Sequence, residues 1–206
     1  RTRLRQAQVM QYSTALSDAV LALACLASLL WLRPAFAGQP VLRALLLGFG
    51  LTATAALCGA VRYGLDPSWI DKHRSFSQLS AVLGLPLLGL AALALARGMT
   101  WGRSVWTVCL LVLVGLFIGA RVLGIDPGYR LALSLATLLL ILYAGLSRWP
   151  HRLPGLAALG VVGLFLVAGL AVGTEGFIGP LRRVDLFHAL LTPCLLYTSP
   201  SPRDRG

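Results

Sequence analysis

The chain is poor in charged residues, in lysine and in cysteine. Only 12% of its 206 residues are charged, against about 25% in a typical soluble domain, which leaves too little polar surface to cover a water-soluble globule. Lys72 is the only lysine among 18 basic residues, and the scattered arginines form no basic stripe, which disfavours nucleic-acid binding. Four cysteines without a CxxC pair disfavour a disulfide framework. The sequence also lacks P-loop, G-x-G-x-x-G and H-E-x-x-H motifs.

Long apolar runs make up most of the chain. Hydrophobic residues account for 57% of the sequence, and the mean hydropathy is +0.80. A helix needs about 20 apolar residues to cross a bilayer core of about 30 Å. This rule predicts spans at 15–32, 43–61, 77–96, 104–121, 130–147 and 154–173, with a seventh that begins near 184 and is cut short. The sequence therefore predicts an all-α polytopic transmembrane bundle with six complete spans and a truncated seventh.

The two ends of the sequence differ in character from the rest. Residues 1–9 hold three arginines and no acid before Met10, and we interpret them either as upstream sequence translated in frame or as a short basic tail. Near the other end, Cys194–Asp204 reads CLLYTSPSPRD, which resembles an in-frame translation of a transposase library adapter. We therefore expect a transmembrane domain at 10–193 and adapter-derived sequence at 194–206. Without both ends, 13 basic and 6 acidic residues remain, which is a net charge of +7.

Charge is sorted between the two sides of the predicted bundle. Every acid of the trimmed chain falls on the side of the N-terminus, namely Asp18, Asp66, Asp71, Asp126, Glu175 and Asp185. Because anionic lipid attracts the purely cationic side to the cytoplasmic leaflet, we predict that the N-terminus lies outside. The bias towards Arg, Ala, Leu and Gly is typical of a GC-rich bacterial genome. We therefore expect a bacterial inner-membrane protein whose first partner is the lipid bilayer, and the sequence leaves other protein or lipid partners open.

Two features within the spans bear on helix packing. Pro86 lacks a backbone N–H and predicts a kink in the third span. The pairs Gly115/Gly119 and Gly169/Gly173 are GxxxG motifs, which allow helices to approach closely. We expect them to mediate tight packing within the chain.

A small set of acids and histidines forms the candidate polar cluster, which comprises Asp18, Asp71, His73, Asp185 and His188. Asp185 and His188 are three residues apart and share a helix face, so they could bind one metal ion or share a proton. Ionisable residues within spans are functional candidates. A purely structural interpretation is also open, in which Asp18 and Asp185 cap helices, His73 lies in an exposed loop and His188 packs between helices.

The helix count and His188 give the chain a resemblance to the CREST membrane hydrolases, which include alkaline ceramidases and progestin-receptor-like proteins. The resemblance implies seven helices, lipid hydrolysis, and a zinc ion held by histidines with an Asp and a Ser nearby. His188 matches the first His of the HxxxH pair in the last helix, but Thr192 occupies the position of the second. Arg62 and Tyr63 occupy the region where the second helix carries a His in that family.

Three functional interpretations follow from these residues. On the metal interpretation, a zinc ion would be the one cofactor, and His188, Asp185 and His73 are its candidate ligands. The chain also resembles bacterial multi-spanning membrane proteins of unknown function, which adds no activity. A structural role, a solute pathway and metal-dependent lipid hydrolysis therefore remain as alternatives, and the sequence leaves open whether the protein is an enzyme.

Overall fold

Helices make up nearly all of the chain that the structure covers. The computed structural model describes residues 11–148, 152–172, 176–179 and 181–197. The α-helices in this part are α1 (Tyr12–Ala35), α2 (Val41–Gly64), α3 (Ile70–Leu79), α4 (Leu85–Ala96), α5 (Arg103–Val122), α6 (Asp126–Leu146), α7 (Arg152–Leu166) and α8 (Arg183–Tyr197). Two short strands, β1 (Phe177–Ile178) and β2 (Leu181–Arg182), pair antiparallel between α7 and α8. Residues 1–10 and 198–206, to which much of the expectation about non-native ends applies, lie outside the described residues.

The predicted all-α bundle is confirmed. Six helical rods of the described chain are long and apolar enough to cross a membrane, as expected of a membrane protein. The third rod, Pro67–Ala96, begins ten residues before the predicted span. Its first turns carry the polar sequence IDKHRSFSQL, which a hydropathy window counts as loop but which packs against α2. This correction matters because it moves His73 from a loop into a helix.

A capped turn starts this third rod. The side chain of Asp66 accepts hydrogen bonds from the Ser68 N–H at 2.9 Å and from the Ser68 hydroxyl at 2.8 Å. Both bonds hold the pKa of Asp66 below its ordinary value. Because the pKa is lowered on folding, this stabilisation is present at neutral pH and is lost as the pH falls through the lowered pKa.

Small side chains allow the first three rods to pack closely. Lipid tails are as apolar as leucine, so helices in a bilayer associate through van der Waals contact and close backbone approach. Ala22, Ala44 and Ala91 are fully buried, together with the larger Phe49 and Leu87. These residues belong to one core cluster that joins α1, α2 and the third rod.

Helix α5 contacts the bundle along one narrow face. Trp106, Leu113 and Ala120, seven residues apart, are its buried positions. The GxxxG pair Gly115/Gly119 lies off this face, and a Cβ at either glycine would meet no atom within 4 Å. The expectation of tight packing within the chain is therefore wrong for this pair. A Cβ at Gly169 also meets open space, and its partner Gly173 lies outside the described residues.

Two rods are interrupted by π-helical segments. Ser80–Gly84 is π-helical and immediately precedes α4, in which Pro86 occupies the first turn. The missing N–H of a proline inside a span is commonly accommodated by such local adjustments. A second π-helical segment, Val167–Val172, follows α7. π-Helical turns occur frequently at functional sites.

We predict that Gly145→Ala destabilises the α6–α7 contact. A Cβ at Gly145 would overlap the Cβ of Ala158 and lie 2.7 Å from the Pro154 carbonyl oxygen, and neither atom belongs to a flexible side-chain end. Overpacking of this kind costs about 1–3 kcal/mol, measurable as a lower unfolding midpoint in detergent. Gly160→Ala is the matched control, because a Cβ there meets open space. Equal midpoints for the two variants would contradict the packing.

Candidate functional site

The first candidate residue, Asp18, lies well inside the bundle. The Gln11 N–H donates to the Tyr63 carbonyl oxygen at 2.8 Å, which fixes the start of α1 against the end of α2. Asp18 is six residues beyond Tyr12, about 9 Å along the helix axis, and its side chain is 1% exposed. The N-cap of α1 is Gln11. Asp18 therefore does not cap this helix, contrary to the structural interpretation of the sequence.

The partner of Asp18 is His188 on α8. Asp18 Oδ1 lies 3.1 Å from His188 Nδ1, and the His188 side chain is 12% exposed. Ser17 Oγ lies 3.3 Å from the same nitrogen and donates its own hydrogen to the Thr14 carbonyl oxygen at 2.9 Å. The pairing that the sequence suggested joined His188 to Asp185 on the same helix, whereas the structure joins it to an acid 170 positions earlier.

A glycine on α2 makes room for this pair. A Cβ at Gly59 would overlap Asp18 Oδ2 and lie 3.0 Å from His73 Cε1. The carboxylate of Asp18 and the imidazole of His73 therefore both lie against the backbone of α2 at Gly59. Among the described residues, Asp18 Oδ2 itself is buried without a hydrogen-bond partner.

His73 lies on α3 and faces the same region. Its Nδ1 is 3.1 Å from the Ala55 carbonyl oxygen, and its ring meets the Tyr63 ring edge-on at 5.8 Å. A carbonyl oxygen only accepts hydrogen bonds, so we assign the ring proton to Nδ1. In the neutral ring, Nε2 then carries the lone pair.

Two hydroxyls continue the polar cluster across the α2–third rod contact. Thr52 Oγ1 donates to the Gly48 carbonyl oxygen at 3.0 Å. Its contact with Ser80 Oγ is 2.8 Å, and because the single hydrogen of Thr52 is already used, Ser80 is the donor in this bond. Both side chains are buried.

These groups line one cavity of about 220 Å³. Its polar wall contains Asp18, Thr52, His73, Ser77, Ser80 and His188. The rest of the wall is apolar and includes the rings of Phe165 and Phe187. The cavity thus combines a carboxylate and two imidazoles with a mostly hydrocarbon surface.

The remaining two candidates do not line the cavity. Asp71 is exposed in the first turn of α3, and Asp185 lies in the first turn of α8. Acids at both places suit the positive end of the helix dipole. In return, the structure adds Thr52 and Gly59, which the sequence analysis did not select. A threonine and a glycine inside the apolar run of α2 were the only signals for them.

Among the residues that the structure describes, no group of three ligands forms the zinc site that the CREST resemblance implies. A catalytic zinc ion takes three protein ligands. Within the described ranges, no three His, Cys, Asp or Glu side chains form a group that could hold a metal ion. Thr192, at the position of the second His in that family's motif, donates its hydroxyl to the His188 carbonyl oxygen at 2.9 Å. We therefore derive no catalytic step through zinc.

We predict that Gly59→Ala separates Asp18 from His188. The added Cβ would overlap Asp18 Oδ2, so the carboxylate must move away from its present position beside His188. We expect a loss of about 1–3 kcal/mol of stability, a lower unfolding midpoint and altered ¹⁵N signals of the His188 ring.

Gly50→Ala is the control on the same helix, since a Cβ there meets no atom within 4 Å. Unchanged His188 signals in a folded Gly59→Ala variant would show that the pair does not depend on this contact.

Comparison with known proteins gives one match. A family model described as a family of unknown function (DUF6962) matches residues 13–200. No curated protein and no solved structure matches the chain. The matched range begins at the second residue of α1 and includes all of the later described helices, and the chain therefore belongs to the DUF6962 family.

Proposed function

We propose that the protein provides a proton-linked pathway for a small solute across the membrane. The observation that carries this proposal is the buried Asp18–His188 pair in the wall of a cavity between apolar helices. An ionisable side chain is costly inside a membrane, and such residues mark proton relays and substrate paths. A carboxylate joined to an imidazole can take up or release one proton while it stays within the bundle.

The interrupted rods support a pathway over a purely structural role. Ser80 and Ala81 of the π-helical segment Ser80–Gly84 line the cavity. Phe165 also lines it, just before the second π-helical segment begins at Val167. Transporters form their solute sites where spans are discontinuous. Regular helices without a cavity would suffice for a scaffold.

Metal-dependent lipid hydrolysis is the alternative raised by the CREST resemblance. Its support is that both imidazoles have Nδ1 anchored by an oxygen, on Ala55 and on Asp18, as is usual for metal-binding histidines. A hydrolase needs a third ligand, and the described donor set does not supply it. The pathway requires only the groups that the cavity contains.

Access to the cavity tests the proposal without knowledge of the solute. Ser77 lines the cavity, and we expect Ser77→Cys, in a cysteine-free background, to react with a membrane-impermeant maleimide from both sides of the membrane. Right-side-out and inverted vesicles separate the two directions.

Ser75→Cys is the matched control, because Ser75 is exposed near the start of the third rod. It should react from one side only. Labelling of Ser77→Cys from a single side, like the control, would overturn a pathway that opens to both sides.

We also propose that the protein lies in a bacterial inner membrane with its N-terminus outside. The described acids lie towards one end of the bundle, and Arg33, Arg43, Arg97 and Arg103 lie at the other end without an acid. Glu175, the remaining acid of the sequence argument, lies outside the described residues. Because anionic lipid attracts the purely cationic end to the cytoplasmic leaflet, a reporter fused after Gly38 should give a cytoplasmic signal. A periplasmic signal would reverse the orientation.

A further inference from the structure

Almost all hydroxyl hydrogens in the cavity wall donate hydrogen bonds to other groups of the protein. In the wall, Thr52 donates to Gly48 and Ser80 donates to Thr52. Ser17, which lies beside His188 Nδ1, donates to Thr14. Each of these hydroxyls has one hydrogen, so none remains to give to an occupant. Ser77 is the one hydroxyl of the wall for which the described structure shows no such bond.

The two imidazoles also donate their hydrogens within the protein. His73 donates its Nδ1 hydrogen to the Ala55 carbonyl oxygen, which leaves an Nε2 lone pair. When Asp18 is ionised, His188 donates from Nδ1 to Asp18 Oδ1 and to Ser17 Oγ, and its Nε2 is also an acceptor. Asp18 Oδ2 has no hydrogen-bond partner in the described chain and lies buried against Gly59. When Asp18 is ionised, the cavity therefore offers hydrogen-bond acceptors and almost no hydrogen-bond donors.

The charge of the cavity wall determines which kind of hydrogen-bond donor the occupant carries. The charged groups that act on Asp18 are Asp185 on α8 and, with a smaller and opposite effect, Arg62 on α2. The third rod adds His73 and, one residue later, the exposed Arg74. When Asp18 is ionised and both histidines are neutral, the cavity holds one uncompensated negative charge. A single positive charge on the occupant would neutralise it.

From this donor count and charge we infer that the solute is a small organic ammonium ion with an apolar body. An ammonium group offsets the charge of the ionised Asp18, and Phe165 and Phe187 add to the same wall aromatic rings, which attract cations. The apolar wall accommodates the carbon skeleton. An apolar cavity of about 150 Å³ holds benzene, so the 220 Å³ here suits a molecule somewhat larger than benzene.

This inference rests on the proposed function and explains its link to protons. In the protonated state, the Asp18–His188 pair carries an additional proton and no net charge, so the cavity loses its negative charge and one of its acceptors. The ammonium group and the proton therefore compete for one site. Binding of the solute releases a proton, and uptake of a proton expels the solute.

Calorimetric titration of the purified full chain in nanodiscs tests the inference with three probes that share one ring skeleton. These probes are benzylammonium, benzyl alcohol and benzoate. We expect benzylammonium to bind about tenfold more tightly than benzyl alcohol or better, as one favourable charge interaction supplies, and benzoate not to bind. Asp18→Asn should weaken benzylammonium binding about tenfold or more, whereas Asp71→Asn, the same change outside the cavity, should leave it unchanged.

The pH dependence is measured on the wild-type chain, so the test does not require that Asp18→Asn folds. Benzylammonium affinity should fall as the pH is lowered. Titrations in two buffers with different ionisation enthalpies should show that binding releases a proton. Binding without proton release at every pH tested would overturn the competition.

Zn²⁺ alone is the fourth probe, because imidazole lone pairs also bind metal ions. Zn²⁺ binding that is lost in His73→Ala and in His188→Ala, without any benzylammonium binding, would assign the cavity to a metal ion and overturn the inference. Benzoate binding as tight as that of benzylammonium would overturn it as well. One-sided labelling of Ser77→Cys would instead refute the pathway and leave the ligand class standing, so the two failures are distinguishable.

Discussion

The contact between Asp18 and His188 is the constraint on which the rest of this bundle depends. A carboxylate that is 1% exposed inside apolar helices is costly unless another polar group compensates it. His188 compensates one oxygen and Ser17 shares the same imidazole nitrogen, while the other oxygen has no partner in the described chain. The pair therefore connects α1 to α8 and leaves one carboxylate oxygen without a hydrogen bond in the described chain. A site of this kind costs stability, and its function is the reason we give for its presence.

Close backbone approach makes the pair possible. Gly59 lets Asp18 and His73 lie against α2, and the carbonyl of Ala55, one turn earlier, orients His73. One face of α2 thus supports both the carboxylate and an imidazole. The π-helical segment at Ser80–Gly84 brings Ser80 to the same face through Thr52. Polar atoms from α1, α2, the third rod and α8 meet there because Gly59 on α2 leaves space for them.

Much of the fold was predictable from the sequence, since hydropathy alone locates helices that must satisfy their own backbone in lipid. The rods confirm the predicted spans closely, with the exception of the third. Its polar first turns fall below any hydropathy threshold, so His73 was interpreted as a loop residue. The π-helical segments leave no clear trace in the sequence, because a π-helical turn differs from an α-helical turn in hydrogen-bond register and not in composition. Pro86 predicted a kink next to one of them, and nothing in the sequence indicated the other.

In the candidate site, the residue types were predictable from the sequence, but the partner of His188 was not. The sequence determined which ionisable groups are available, namely three acids and two histidines near the ends of apolar helices. It also determined that the chain is a membrane protein. Spacing along a helix suggested Asp185 as the partner of His188, because residues three apart share a face. Only the packing of α1 against α8 decided that the partner is Asp18. Pairing between distant helices depends on the shape of every side chain between them, and short-range spacing carries no information about that shape.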